Sequence, residues 1–223
     1  MTVTVLGISG SPRRHGNTET LLDSFLDGAK AAGAAVEKVV LKDLDYSACR
    51  GCNACHKDGN CIVKDDAVPL FEKMMATDIV AVASPIYSMG ITAQLKGFID
   101  RGQYLWARRF VTKTLEFSPE HLARHKGIFI STAGQNWDHV FDGAYPSLTA
   151  LFHDAGFDYY DNIVANNMDE HKGIKNHPSA LKEAFDKGQN VVALLKDINK
   201  ERGVLRSASR DGSTQQRAYR MLR

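Results

Sequence analysis

A chain of 223 residues with 43% apolar and 24% charged side chains can bury the core of one globular domain, and no apolar run approaches the roughly 18 residues a membrane span needs. The net charge of +2 divides unevenly: residues 199–223 carry seven Lys/Arg against two Asp/Glu, leaving −3 on the rest, so a basic tail follows a mildly acidic body and no nucleic-acid-binding domain is indicated. No basic and then apolar leader opens the chain, and the four cysteines all fall between Cys49 and Cys61, so a cytoplasmic location is expected, with metal or redox chemistry favoured over structural disulfides.

Thr2 to Ser9 reads as a first strand, short and bounded by glycines. Asn17 to Ala32 reads as an amphipathic helix, with Leu21, Leu22, Phe25, Leu26 and Ala29 at three- and four-residue spacing and Gly33 at its C-terminal cap. Ala35 to Leu41 is a second strand. Leu44 to Asp66 lacks periodicity and holds the cysteines, and Asp66 to Met75 is a short helix capped by Asp65 or Asp66. Asp78 to Ser84 is a nearly uniform apolar strand, Ile-Val-Ala-Val-Ala, as burial on both faces of a central parallel strand requires. One helix is expected over Thr92–Tyr104, a fourth strand over Lys126–Thr132, a helix over Phe141–Gly156, a fifth strand over Phe157–Val164 and a last helix over Pro178–Ile198. This alternation predicts an α/β fold: a doubly wound five-stranded parallel sheet of order 2-1-3-4-5, with a cysteine-rich loop after strand 2. Residues 1–198 would form one domain with an insert at 46–66, and residues 199–223 a tail or oligomerisation arm.

Between the first strand and its helix lies Gly7-Ile-Ser-Gly-Ser-Pro-Arg-Arg-His-Gly-Asn-Thr18. A small, polar turn at a helix N-terminus suits an anion, because free N–H groups and the helix dipole converge on it. Ser9, Ser11, Asn17 and Thr18 add donors, and Arg13 adds a planar fork suited to phosphate. Gly7, Gly10 and Gly16 miss the dinucleotide spacing, and no P-loop lysine follows. The plain alternative is an ordinary strand-to-helix turn with a cap. At the same rim the topology brings Ser84-Pro-Ile-Tyr-Ser-Met-Gly90, an apolar platform whose backbone N–H groups are expected to be free, and Thr132-Ala-Gly-Gln135, small enough for a flat ring to approach. A phosphate at one end and a planar heterocycle between two loops amount to a mononucleotide, for which FMN is the best candidate.

Gly10-Ser-Pro-Arg13 with Gly16-Asn-Thr18, the block Cys-x2-Cys-x2-Cys-x5-Cys followed by Asp65-Asp66, Ser84-Pro-Ile-Tyr87, and Thr92-Ala-Gln-Leu-Lys-Gly-Phe-Ile-Asp-Arg101 together resemble the flavodoxin-like NAD(P)H-dependent FMN reductases, and within them most closely the iron–sulfur flavoproteins. The resemblance implies a flavodoxin-like fold, with FMN held at its phosphate by Ser9, Ser11, Arg13, Asn17 and Thr18. Pro85, Ile86, Tyr87 and Ser88 would lie along the isoalloxazine, and Ala133 and Gly134 on the opposite rim. Ser88 and Met89 stand where relatives often carry an aromatic residue. The implied function is an FMN-dependent oxidoreductase moving electrons from NAD(P)H, or from a reduced carrier such as ferredoxin, to a small acceptor such as a quinone, flavin or oxidant. No side chain need serve as acid or base. A non-catalytic electron-transfer protein is the alternative, and a homodimer or homotetramer is expected.

Cys49, Cys52, Cys55 and Cys61 form a run that can wrap a 4Fe–4S cluster; a metal-free loop and a zinc site are the other readings, zinc usually taking two separated Cys-x2-Cys pairs. The remaining candidates read as bland. Lys96 and Arg101 decorate a helix, Arg108 and Arg109 face solvent or a nicotinamide phosphate, and His121 and His125 are surface residues.

Overall fold

A helix separates each predicted strand from the next, and such connections favour parallel pairing. The computed structural model describes residues 2–210 of the chain. Its five strands are β1 (Thr4–Ser9), β2 (Ala35–Val40), β3 (Ile79–Pro85), β4 (Lys126–Thr132) and β5 (Asp158–Ala165), all parallel, in the order β2-β1-β3-β4-β5. The helices are α1 (Asn17–Ala31), α2 (Cys55–Asp58), α3 (Ala67–Met75), α4 (Ala93–Arg101), α5 (Gln103–Phe110), α6 (Pro119–Arg124), α7 (Tyr145–Ala155) and α8 (Ala180–Arg210).

Successive strand residues point to opposite faces, and this divides the core in two. Leu6, Ile8, Val80, Val82 and Phe129 pack on one face against Phe71 of α3, Phe98 of α4, Leu105 of α5 and Phe152 of α7. Val5, Ile79, Ala81, Ile128 and Ile163 pack on the other against Leu22 and Phe25 of α1 and Val191, Val192 and Leu195 of α8. Central β3 and β4 are buried almost throughout, whereas the edge strands β2 and β5 alternate in exposure, as one solvated face requires. Ser9 is level with Ala83, and Pro85 with Thr132, so the loops after β1, β3 and β4 leave the sheet at one rim.

Three helix boundaries depart from expectation for local reasons. The helix expected over 92–104 is two, because the Gly102 N–H closes on Ile99 O while Gly102 O accepts from Leu105, so one turn ends and another begins there. The helix expected from Phe141 starts at Tyr145, because Pro146 belongs in a first turn and would remove a ladder bond further inside. α8 starts at Ala180, where His177 Nδ1 accepts from the Ala180 N–H at 3.1 Å, and it runs through Arg210, past the Ile198 boundary expected from sequence. Of the tail expected over 199–223, the part up to Arg210 continues α8, and the rest lies outside the described residues. None of the described helices is long and apolar enough to cross a membrane.

Candidate functional site

The turn between β1 and α1 is shaped by its own side chains. Ser11 Oγ accepts from the Arg13 N–H at 3.2 Å and lies 3.1 Å from Arg13 O, folding the loop back on itself. His15 holds φ at +54°, and its N–H donates to Glu19 Oε2 at 2.7 Å. Glu19 is fully buried and also meets Lys38 Nζ at 3.0 Å and Arg14 Nη1 at 3.3 Å. Burial pushes its carboxyl up, but the bonds from Lys38 and His15 and the charges of Lys38 and Arg14 outweigh that, leaving it below the usual carboxylate range. Sequence reading missed Glu19; its place three residues after Gly16, where a capping-box Glu sits, was the available signal.

The helix start itself is left open. Gly16 caps α1 without a side-chain hydrogen bond, so the cap itself supplies no side-chain acceptor to the first N–H groups of the helix. Asn17 does not cap it: its Oδ1 accepts from the Ile174 N–H at 3.1 Å, which leaves Nδ2 uncommitted. Arg14 is tied to Glu19 and Asp43, whereas the exposed Arg13 guanidinium has no carboxylate partner among the described residues. Ser9 is buried below the loop, and its Oγ has no hydrogen-bond partner.

Hydrogen bonds lock this turn to the other two loops. Thr92 Oγ1 donates to Gly10 O at 2.7 Å while accepting from the Leu95 N–H, so the cap of α4 also fastens the turn. The Thr92 N–H donates to Ser84 Oγ at 3.0 Å, and Ser131 Oγ donates to Ser84 O at 2.7 Å. Thr18 Oγ1 and Thr132 Oγ1 lie 2.5 Å apart. The loop after β3 is a tight hairpin: Tyr87 and Gly90 exchange both backbone bonds, with Ser88 at φ +47° and Met89 at φ +62°. Its backbone is therefore less available than expected. The Ile86 N–H is bonded to Thr132 O and the Tyr87 N–H to Gly90 O; Ser88 and Met89 retain free N–H groups. A methyl group at Gly143 would stand 2.1 Å from Met89 O, so the hairpin rests directly on that glycine's backbone.

These loops enclose a cavity of about 360 Å³, within the range of small-molecule sites. Ser11, Arg13, Asn17, Thr18, Pro85, Ile86, Tyr87, Ala133 and Gly134 line it, nine of the eleven residues expected at the ligand. Ser9 lies beneath it, and Ser88 stands on the exposed hairpin tip. Gly16 and Thr132, which belong to the loops expected there, also line it, whereas Met168 and Asp169 were not anticipated. The loop after β5 brings the last two: the Met168 N–H donates to Ala133 O, the Asp169 N–H donates to Gly134 O, and Gln135 Nε2 donates to the Asp169 carboxylate at 2.8 Å. A polar loop carries no periodic pattern, so nothing in the sequence signals this docking. A cavity of about 470 Å³ lies elsewhere, between the cysteine loop and α4, α5 and α7; its carboxylates, Asp100 and Asp154, make it a poor host for an anion.

The cysteine loop packs against the other end of α4. Asp65 Oδ1 accepts from the Ala67 N–H and so caps α3 from one residue upstream, while Asp66 Oδ2 accepts from the Asp45 N–H. Arg101, expected on a solvated face, is buried: its Nη1 meets Asp65 Oδ2 at 2.5 Å and Ser47 O at 2.9 Å, and its Nη2 meets Cys61 Sγ at 3.3 Å. Cys49 and Cys52 are exposed, Cys55 is buried, Cys61 is half-buried, and all are free thiols. Burial pushes the Cys55 thiol up, the backbone N–H of Cys55 pulls it down, and Cys61, Cys49 and Cys52 add to the rise. Among the described residues no three His, Cys, Asp or Glu side chains are gathered as metal ligands. α4 runs from the turn at Gly10 to the cysteine loop, so its nine residues, about 13 Å at 1.5 Å per residue, separate the two regions. His121 and His125 are not independent surface residues either; their rings stack at 3.6 Å and 7°.

A family model for NADPH-dependent FMN reductase matches residues 3–138. An iron-sulfur flavoprotein of Methanocaldococcus jannaschii is 40% identical over 101 residues, covering 45% of this chain and 52% of the relative. One of Methanosarcina thermophila is 36% identical over 109 residues, covering 49% and 57%. The match thus spans about half the length of these curated relatives. A solved azoreductase of Bacillus anthracis superposes with a TM-score of 0.61 at 18% identity over 85% of this chain and 100% of that one, a likeness of fold.

Proposed function

The chain belongs to the NADPH-dependent FMN reductase family, and on that footing we propose that it is an FMN-dependent oxidoreductase, taking electrons from NAD(P)H and delivering them to a small acceptor such as a quinone or a flavin. The observation that carries the reading is the convergence of an uncapped helix start, an unpaired Arg13 and two loop platforms on one cavity of about 360 Å³. FMN, when bound, supplies the redox chemistry. Arg13 and the first N–H groups of α1 would neutralise its phosphate, with the hydroxyls of Ser11 and Thr18 and Asn17 Nδ2 completing the donor set. Pro85, Ile86, Tyr87 and Ser88 would bound the ring on one side, with Ala133 and Gly134 on the other. The uncommitted N–H groups of Ser88 and Met89 are donors able to favour negative charge on a ring beside them.

The cysteine loop fits a 4Fe–4S cluster by the chemistry of its donor set. Four free thiols lie on the one short segment Cys49–Cys61, and the buried Arg101 beside it has an Nε donor with no partner among the described residues. Cys49, Cys52, Cys55 and Cys61 would be the ligands. Cys49 and Cys52 lie outside any helix or strand. A cluster, when bound, supplies one-electron transfer. The similarity to iron-sulfur flavoproteins supports this choice over zinc.

Anaerobic purification tests both parts. Flavin absorbance at one FMN per chain, NAD(P)H oxidation with a quinone, and loss of FMN affinity in Arg13→Ala are the expected results, with iron and acid-labile sulfide in proportion. A colourless protein that takes up no added FMN would overturn the reading.

A further inference from the structure

Arg101 stands out among the charged side chains. Its side chain is 1% exposed, and its charge is met by one carboxylate, Asp65. A guanidinium retained in such a place has to be fully engaged, because burying it is costly otherwise. Its bonds have a pattern. Nη1 reaches Ser47 O, two residues before Cys49; Nη2 reaches Val63 O at 3.4 Å, two residues after Cys61, and Cys61 Sγ itself. One planar fork therefore ties both flanks of the cysteine-bearing segment to the end of α4 and aims a donor at one of its sulfurs. Asp65 completes the frame, its Oδ2 accepting from both Arg101 and the Ser47 N–H. Nε remains, buried and without a partner.

We propose that Arg101 is the positioning residue of the cysteine site: it holds Cys61 by an N–H···S bond and, as a fixed buried cation, raises the reduction potential of the cluster bound there. The inference rests on the cluster reading above. Hydrogen bonds to ligand sulfurs and local charge both tune such potentials, and a donor to an anionic sulfur stabilises the more reduced, more negative state. Asp65 acts with the opposite sign, since it offsets part of the guanidinium charge. A side chain that merely staples the loop would make neither contribution, and its loss would lower occupancy alone.

The test is redox titration of protein reconstituted anaerobically with iron and sulfide, followed by the cluster's spectroscopic signal. Arg101→Gln is expected to shift the midpoint to more negative values. Asp65→Asn, which leaves the guanidinium uncompensated, is expected to shift it to more positive values. FMN content is expected to stay unchanged in both, because the anion-binding turn lies at the other end of α4. Should Arg101→Gln not fold, Arg101→Lys serves: it keeps the charge but not the fork, and is expected to retain iron less well while holding a midpoint nearer the parent. Equal midpoints in parent and folded Arg101→Gln, or shifts of the same sign in Arg101→Gln and Asp65→Asn, would overturn the inference while the cluster reading stands. A parent protein that takes up no iron would overturn both.

Discussion

Thr18 Oγ1 lies 2.5 Å from Thr132 Oγ1, although 114 residues separate them. Both residues are almost fully buried, at 2% and 4% exposure, so this contact is where the turn between β1 and α1 and the loop after β4 are held as one wall. Removing one hydroxyl leaves the other without a partner, which costs about 1–3 kcal/mol, whereas removing both can be nearly neutral. Thr18→Val and Thr132→Val are each expected to lower the denaturation midpoint, and the double variant to recover most of the loss. FMN affinity is expected to stay reduced in both variants that lack the Thr18 hydroxyl. A double-mutant cycle read by chemical denaturation and by flavin titration separates the two effects.

Gly134 lies directly under Asp169. A methyl group there would stand 2.7 Å from the carboxylate, which Gln135 holds in place. Gly134→Ala is expected to weaken FMN binding about 10-fold, a loss of about 1.4 kcal/mol, by pushing the loop after β5 out of the cavity wall. Adding Asp169→Ala should restore part of the affinity by removing the obstructing group. Fluorescence titration with FMN measures both, and an unchanged affinity in Gly134→Ala would show that the wall yields freely.

The hairpin at Tyr87–Gly90 is built on residues that dislike its geometry. Positive φ at two successive central positions favours Asn-Gly, and the chain carries Ser88-Met89. Ser88→Asn with Met89→Gly is expected to raise stability by about 1 kcal/mol, which for a domain of this size moves Tm by about 2–4 °C. Retention of the native pair despite that cost would fit a role for Met89 beside the ligand, and turnover by the double variant checks it.

His121 gives a pH dependence whose sign is determined. Burial lowers its pKa first, and the charge of the stacked His125 adds to the shift, outweighing the bond to Gly156 O. The unfolded chain therefore takes up the proton more readily than the folded one. Stability from this residue is complete above about pH 6.5 and falls as the pH drops through that value. The midpoint of urea unfolding is expected to fall more steeply from about pH 8 to pH 5 in the parent than in His121→Phe, which keeps the ring stack without the titration.

The alternation of strands and helices was legible because its causes are local. β-branched apolar runs make buried parallel strands, as in Ile79–Pro85, and three- and four-residue spacing makes α1. The turn between β1 and α1 and its place on the cavity wall were legible for the same reason, since its polar residues and its helix lie within a dozen residues. Helix ends were less so: Gly102 and Pro146 move boundaries through single backbone bonds that periodicity does not register.

The sequence by itself determined the sheet order, the rim where the loops after β1, β3 and β4 meet, and the cysteine spacing, all of which follow from residue types and distances along the chain. Only the tertiary structure decided that Asp169 closes the cavity, that Glu19 and not Asn17 braces the turn, and that Arg101 faces inward onto Cys61. Those are contacts between segments far apart in the chain or between a side chain and a backbone atom. They depend on which groups remain unpaired once the sheet has formed, and residue spacing carries no record of that.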